Sequence, residues 1–309
     1  MAISSPTLSS AQDSGTEASA STPSAKEAER SEEDGWRASF AATAGLTINS
    51  QDAKVRSVIV STGEELRPPA SGNDLAVSPY VGLNVELMTP AFSSLPGRPR
   101  LFVNGEVLPT FAAQRLIALE GDPKGFEVLL DPATRAFDAE AILGQGSSTA
   151  ATVNTGVYAA AIGVAFPFEF RERNLRIKPS IGWLQFSVDV EGRVLNAFKP
   201  QQDAPADIRF VTLTDRTTLT YNSIGPGIEL ELDTDPILLG FRPTLFMDLH
   251  AYRIVGDRSV VLTDSVTISD SLDSSLGAET YAARWEYSAT PWIFRTGIGI
   301  RFAWVGRQD

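Results

Sequence analysis

The segment Trp292-Ile293-Phe294-Arg295-Thr296-Gly297-Ile298-Gly299-Ile300-Arg301-Phe302-Ala303-Trp304 alternates with a period of two. Its even positions are apolar or threonine, while the odd ones carry Arg295, Gly297, Gly299 and Arg301. Successive strand side chains point to opposite faces, so this is a β-strand with one apolar and one basic face. At a barrel's usual tilt it is long enough to cross a bilayer. Aromatic residues at both ends of the apolar face point to lipid, not a protein core, on that side.

The two-face pattern recurs along the chain. Tyr158, Ala160, Ile162, Val164, Phe166, Phe168 and Phe170 alternate with Ala159, Ala161, Gly163, Ala165, Pro167 and Glu169. No helical period fits that stretch. Ile224, Ile228, Leu230 and Leu232 alternate with Gly225, Gly227, Glu229 and Glu231; Phe241, Leu245, Met247 and Leu249 with Arg242, Asp248 and His250. Earlier copies set Val81, Leu83 and Val85 against Gly82 and Glu86, Leu101, Val103 and Val107 against Arg100 and Glu106, and Trp36, Ala38 and Phe40 against Arg37 and Ser39. Leu175, Ile177, Ile181 and Trp183 alternate with Arg176 and Lys178, but the apolar parity changes at Leu184, Phe186 and Val188, which predicts a β-bulge there.

Eight strands follow, near 36–48, 76–90, 98–111, 156–171, 175–190, 223–233, 240–254 and 291–304. The connections are alternately long and short, about 27, 7, 44, 3, 32, 6 and 36 residues. An up-and-down transmembrane barrel with short periplasmic turns and long extracellular loops has this rhythm. β signals at 55–60, 208–214 with 217–221, and 259–268 predict hairpins rising above the membrane. The glycines Gly82, Gly163, Gly225, Gly227, Gly297 and Gly299 share the charged face, which suits a crowded interior better than a solvated surface. Pro79, Pro99, Pro109, Pro179, Pro226 and Pro243 fit less well, since each removes a ladder donor.

The totals agree with an all-β membrane protein. A chain of 309 residues suits one barrel, and a net charge of −12 argues against nucleic acid as a partner. With no cysteine there is neither a disulfide framework nor a thiolate metal site. No apolar run is long enough for a transmembrane helix. Residues 1–35, rich in Ser, Ala, Glu and Thr, read as a disordered N-terminal segment without the apolar region of an export signal.

Over residues 36–304 the chain resembles the small eight-stranded outer-membrane barrels of Gram-negative bacteria, the OmpA/OmpX type. That resemblance implies a bacterial outer-membrane location, a surrounding lipid bilayer with lipopolysaccharide, and assembly by the barrel-insertion machinery. Phe302 and Trp304 stand where the family carries its terminal aromatic residue, although a short tail, 305–309, follows here. Trp36, Phe168, Phe170, Phe241, Phe302 and Trp304 would form the periplasmic aromatic girdle, with Tyr158, Trp292 and Trp183 on the other side.

The barrel lumen is expected to hold Glu86, Glu106, Glu169, Glu229, Glu231 and Asp248 against Arg37, Arg100, Arg176, Lys178, Arg242, Arg295 and Arg301, paired in a plugged interior. His250, the sole histidine, shares the inner face with Asp248; a His–acid pair can serve a membrane-embedded hydrolase, but no Gly-x-Ser-x-Gly elbow accompanies it. Asp264, Asp270 and Asp273 lack EF-hand spacing, and Gly144-Gln145-Gly146-Ser147-Ser148 lacks the lysine of a phosphate loop. No cofactor, metal or catalytic residue is therefore expected. The function expected is that of a non-enzymatic envelope component acting through its extracellular loops, with a small-solute pore and a lipid hydrolase as alternatives.

Overall fold

The computed structural model of the protein describes residues 35–111, 114–125, 127–130, 137–170, 173–198, 209–234, 241–269 and 278–304. The expectations for 1–34 and 305–309 lie outside them. The described residues form β1 (Arg37–Ile59), β2 (Glu65–Met88), β3 (Arg100–Val107), β4 (Gln114–Gly121), β5 (Glu127–Leu130), β6 (Phe137–Leu143), β7 (Gly146–Val153), β8 (Tyr158–Phe170), β9 (Arg173–Phe198), β10 (Arg209–Asp233), β11 (Phe241–Val255), β12 (Ser259–Ser269) and β13 (Ala278–Trp304). Eight of these close a ring in the order β1-β2-β3-β8-β9-β10-β11-β13, every pair antiparallel, with β13 returning to β1. The end of the ring holding Trp36 and Trp304 is called its lower end below.

β4, β7 and β12 extend three of the ring's staves upward, while β5 and β6 pair with each other in a separate two-stranded sheet. Above β8, β7 pairs with β9, so that Val153 faces Val188 where Tyr158 faces Gln185. Above β3, β4 pairs with β7, and above β11, β12 pairs with β13. The upper ring is joined by side chains at two places where adjacent strands lack a backbone ladder. Between β2 and β4, Arg67 clasps Glu120 and Arg115 donates to the Val77 carbonyl at 2.6 Å. Between β10 and β12, Asp264 accepts from the Thr214 amide at 2.9 Å and Asp215 from the Thr263 amide at 3.1 Å.

The stretches expected as long connections are thus largely strand. β1 runs to Ile59 and β2 starts at Glu65, leaving 60–64 between them. The signals at 209–214 and 217–221 belong to one uninterrupted strand, β10, not to a hairpin. The signal at 259–268 is β12.

The expected bulge at Leu184 is absent: β9 keeps continuous register with β8 and β10 through that region. Side-chain parity does not change; the chemistry of each face does. Below this level Ile177, Ile181 and Trp183 lie outside and Arg176 and Lys178 inside, whereas above it Leu184, Phe186, Val188 and Val190 lie inside and Gln185, Ser187 and Asp189 outside. β10 inverts in the same way, with Ile224, Ile228 and Leu230 outside below and Thr214, Arg216, Thr218 and Thr220 outside above. On β13, exposed Ile298 and Ile300 below give way to exposed Arg284 and Glu286 above. On β1, Phe40 and Leu46 give way to Asp52, Lys54 and Arg56.

Three of the strand irregularities fall at the level of inversion. The break 154–157 between β7 and β8, the break 256–258 between β11 and β12, and the register shift at Asn49/Gln51 all lie near Trp183, Tyr158 and Trp292. Local bonds satisfy the freed backbone there, from Asn154 N to Ser187 O at 2.8 Å and from Ala289 N to Arg258 O at 2.8 Å. Pro79, Pro179 and Pro226 sit on the exposed face of the lower ring.

Above the inversion the interior is an apolar core of Val55, Phe186, Val188, Val190, Val211, Leu213, Tyr281, Trp285 and Tyr287. Gly192 makes room for Trp285, since a Cβ there would lie 2.3 Å from the indole. Burial raises the Tyr221 and Tyr287 hydroxyls above the ordinary tyrosine range, and the two meet at 3.4 Å.

Candidate functional site

The lower interior collects the charges. Lys178 Nζ donates to Glu86 at 2.5 Å and to Glu229 at 2.6 Å, and lies 3.4 Å from Glu231. Arg301 forks onto Glu229 at 2.5 and 3.0 Å and lies 3.2 Å from Glu231 and 3.4 Å from Glu86. Arg176 reaches Asp233 at 2.7 Å and Glu231 at 3.2 Å, and Arg37 lies 3.8 Å from Glu231. Four cations therefore face four carboxylates. Unpaired, each would cost several kcal/mol to desolvate; balanced and hydrogen bonded, each makes the others tolerable.

A second group lies higher. Arg295 bonds Glu106 at 2.5 Å and the Tyr80 hydroxyl at 3.1 Å, with Asp248 at 3.5 Å. Aromatic rings complete the packing: Lys178 stands 4.6 Å from the Phe102 centroid and Arg301 4.7 Å from that of Phe246. Cation–π contacts of this kind gain strength when desolvated. Glycines admit the rings, because a Cβ on Gly299 would meet Phe246 at 2.5 Å and one on Gly163 would meet Phe102 at 2.8 Å.

Glu86, Glu106, Arg176, Lys178, Glu229, Glu231, Asp248, His250, Arg295 and Arg301 are thus brought together inside the ring. Glu169 is not; it is exposed at the end of β8, opposite Asn174, where the strand has left the ring wall for the turn. Arg242 is half-buried at the lower mouth. Asp233, Tyr80, Phe102 and Phe246 join the interior although no charge pattern singled them out as partners. Their parity alone places them there, since all share the face of Glu231, Gly82, Arg100 or Asp248.

His250 is enclosed by its neighbours. Its ring stacks on Tyr252 at 5.3 Å, its Nδ1 has no hydrogen-bond partner, and its Nε2 is 3.8 Å from Asp248, beyond hydrogen-bond reach. Gly227 covers it so closely that a Cβ would lie 2.1 Å from Nδ1. The adjoining void measures about 10 Å³, room for at most one water, and no serine lines it. Among the described residues no cluster of three or more His, Asp or Glu is arranged to hold a metal; Asp270 and Asp273 lie outside them.

The exterior of the lower ring is an apolar belt. Leu83, Val85, Ile162, Ile181, Met247 and Ile298 are exposed on it, Ile298 to 67 %. Trp36, Phe168 and Phe170 are exposed at its lower edge, where Phe40 also stacks on Phe302 at 5.3 Å and meets Phe241 edge-to-face at 5.5 Å. The Trp304 backbone pairs with Phe241. Tyr158, Trp183 and Trp292 are exposed along the upper edge.

No family model matches the chain, and no curated protein matches it. Solved structures similar to it include the outer membrane protease OmpT from Escherichia coli, at 11 % identity and a TM-score of 0.26 over 86 % of this chain and 97 % of that one. A Pseudomonas aeruginosa FadL homologue is 8 % identical with a TM-score of 0.16, over 85 % of this chain and 90 % of that one. An anion-selective porin from Comamonas acidovorans is 10 % identical with a TM-score of 0.10, over 86 % of this chain and 100 % of that one. At these scores the likenesses carry no argument about activity.

Proposed function

We propose that the protein is an integral outer-membrane β-barrel of a Gram-negative envelope that performs no chemistry and acts through its wall and rim. In this reading the lower half spans the bilayer and the upper half stands in water. The inversion of polarity along continuous strands carries it. An apolar belt around the whole ring is far larger than the exposed patches of water-soluble monomers, and the wall turns polar at the level marked by Tyr158, Trp183 and Trp292. At about 3.3 Å per residue and a tilt of roughly 40°, the 27 residues of β13 cover more than twice the thickness of a bilayer's hydrocarbon core.

Lipid below, lipopolysaccharide around the upper edge and the barrel-insertion machinery during assembly are the partners this reading calls for. The filled interior, ionic below and apolar above, speaks against a small-solute pore. The enclosed His250 speaks against a hydrolase.

The chain has no native cysteine, so a single cysteine can carry a fluorophore at Leu83, Ile298 or Arg284. Nitroxide-labelled phospholipids should quench the first two and spare the third. Equal quenching at all three sites, or a protein monomeric in buffer without detergent, would overturn the bilayer reading. Conductance in planar bilayers, or phospholipid deacylation abolished by His250→Ala, would overturn the closed, non-enzymatic part of it.

A further inference from the structure

Above the level of inversion the ring divides into two panels. In one, β12, β13, β1 and β2 are laddered in that order; in the other, β4, β7, β9 and β10 are. Among the described residues neither a ladder nor a backbone hydrogen bond joins β2 to β4 or β10 to β12.

The two seams of side chains that close the upper ring are unequal. At the β2/β4 seam Arg67 clasps Glu120 through two nitrogens, at 3.0 Å for Nε, and donates to Asn196 at 3.4 Å, while Arg115 holds the Val77 carbonyl and stands 3.5 Å from Asp74. The backbones themselves touch there, since a Cβ on Gly72 would lie 1.9 Å from the Ile117 carbonyl oxygen. Among the described residues the hydrogen bonds across the β10/β12 seam are those of the Thr214 and Thr263 amides to Asp264 and Asp215, both exposed to water. A part-buried arginine–carboxylate fork is stronger than single bonds whose partners water can replace. At the base of the looser seam β11 ends at Val255, and the break before β12 contains Gly256 at a φ of 96°, a left-handed conformation that glycine takes without strain.

We propose that the two panels part along the β10/β12 seam and turn about the β2/β4 seam, giving the upper half a closed form and a less populated open one. Leu213 on β10 and Leu262 on β12, each next in sequence to a seam residue and buried in the apolar core, meet the outside in the open form. Local opening follows the boundary with the fewest buried bonds, and the cost of exposing core side chains keeps the open form minor. The opening leads sideways into the upper interior and leaves the ionic group inside the fully laddered lower ring as it is. It requires no bilayer, so it stands apart from the membrane reading.

The test uses the full chain, which has no cysteine of its own. Single cysteines replace Leu213, Leu262 and, behind the β2/β4 seam, Ala118, which is 1 % exposed. A water-soluble thiol reagent modifies each only when it becomes exposed. Leu213→Cys and Leu262→Cys should react at least about tenfold faster than Ala118→Cys, and with a weak dependence on urea, because seam opening exposes little surface. Adding Asp215→Ala together with Asp264→Ala should speed the first two by a further factor of at least about ten and leave the third unchanged. One rate at all three positions, a steep urea dependence at Leu213 and Leu262, or equal acceleration at all three overturns the proposal. Heat-modifiable migration reports whether each variant is folded; if the pair of alanines prevents folding, the three rates and urea dependences without them decide alone.

Discussion

The lower and upper halves of the ring use the same strands and solve opposite problems. Below, Lys178, Arg301, Glu229 and Glu231 fill the interior while Leu83 and Ile298 face out; above, Trp285, Val188 and Leu213 fill it while Arg284 and Asp189 face out. In the membrane reading proposed above, the contrast follows from where the hydrophobic effect can act. In water, moving apolar side chains inward gains roughly 25 cal/mol per Å². Against a lipid wall it gains little, because acyl chains are as apolar as a leucine core. Cohesion there comes from hydrogen-bonded ion pairs and close packing across the ring.

The largest test of that contrast strikes the ionic interior. Arg301→Met leaves three carboxylates facing Lys178 with one cation fewer and should cost about 3–5 kcal/mol, read as an earlier loss of the heat-modifiable form. A cost below about 1 kcal/mol would mean that the charges are solvated.

The next compares the walls. Ile298→Arg should cost about 2–4 kcal/mol in bilayers, the penalty for a cation near the midplane. Arg284→Ile, on the same strand in water, should stay within about 0.5 kcal/mol. Similar small costs at both sites would mean that one solvent bathes the whole ring.

The smallest sharpens the upper half alone. Asp215→Ala removes the acceptor of the Thr263 amide at the β10/β12 junction and should cost about 0.5–1.5 kcal/mol. Hydrogen exchange should quicken along β12 and stay unchanged in β11. If β11 quickens equally, the two halves unfold as one unit.

Much of this was legible locally. Parity assigned Lys178, Glu229, Glu231, Arg295 and Arg301 to one face, and the glycines on that face pointed to a crowded interior; only the structure showed that they make room for Phe246, Phe102 and His250. The apolar stretch Leu184, Phe186 and Val188 was misleading for a specific reason. A change in which parity is apolar can mean an inserted residue or a change of surroundings, and a period-two pattern has the same appearance in both cases. Glu169 was misplaced because alternation continues past the point where the strand leaves the wall.

What the sequence determined by itself is the order of the staves and the face on which each side chain lies, since both depend only on neighbours two residues apart. Tertiary structure decided the rest: that Lys178 meets Glu86 and Glu229, that β3 with β4, β7 with β8 and β11 with β12 each make one stave, and that the interior changes from ionic to apolar partway up. Those outcomes depend on residues distant along the chain, Lys178 and Glu86 being 92 apart, and on the solvent outside the wall. Local alternation encodes neither.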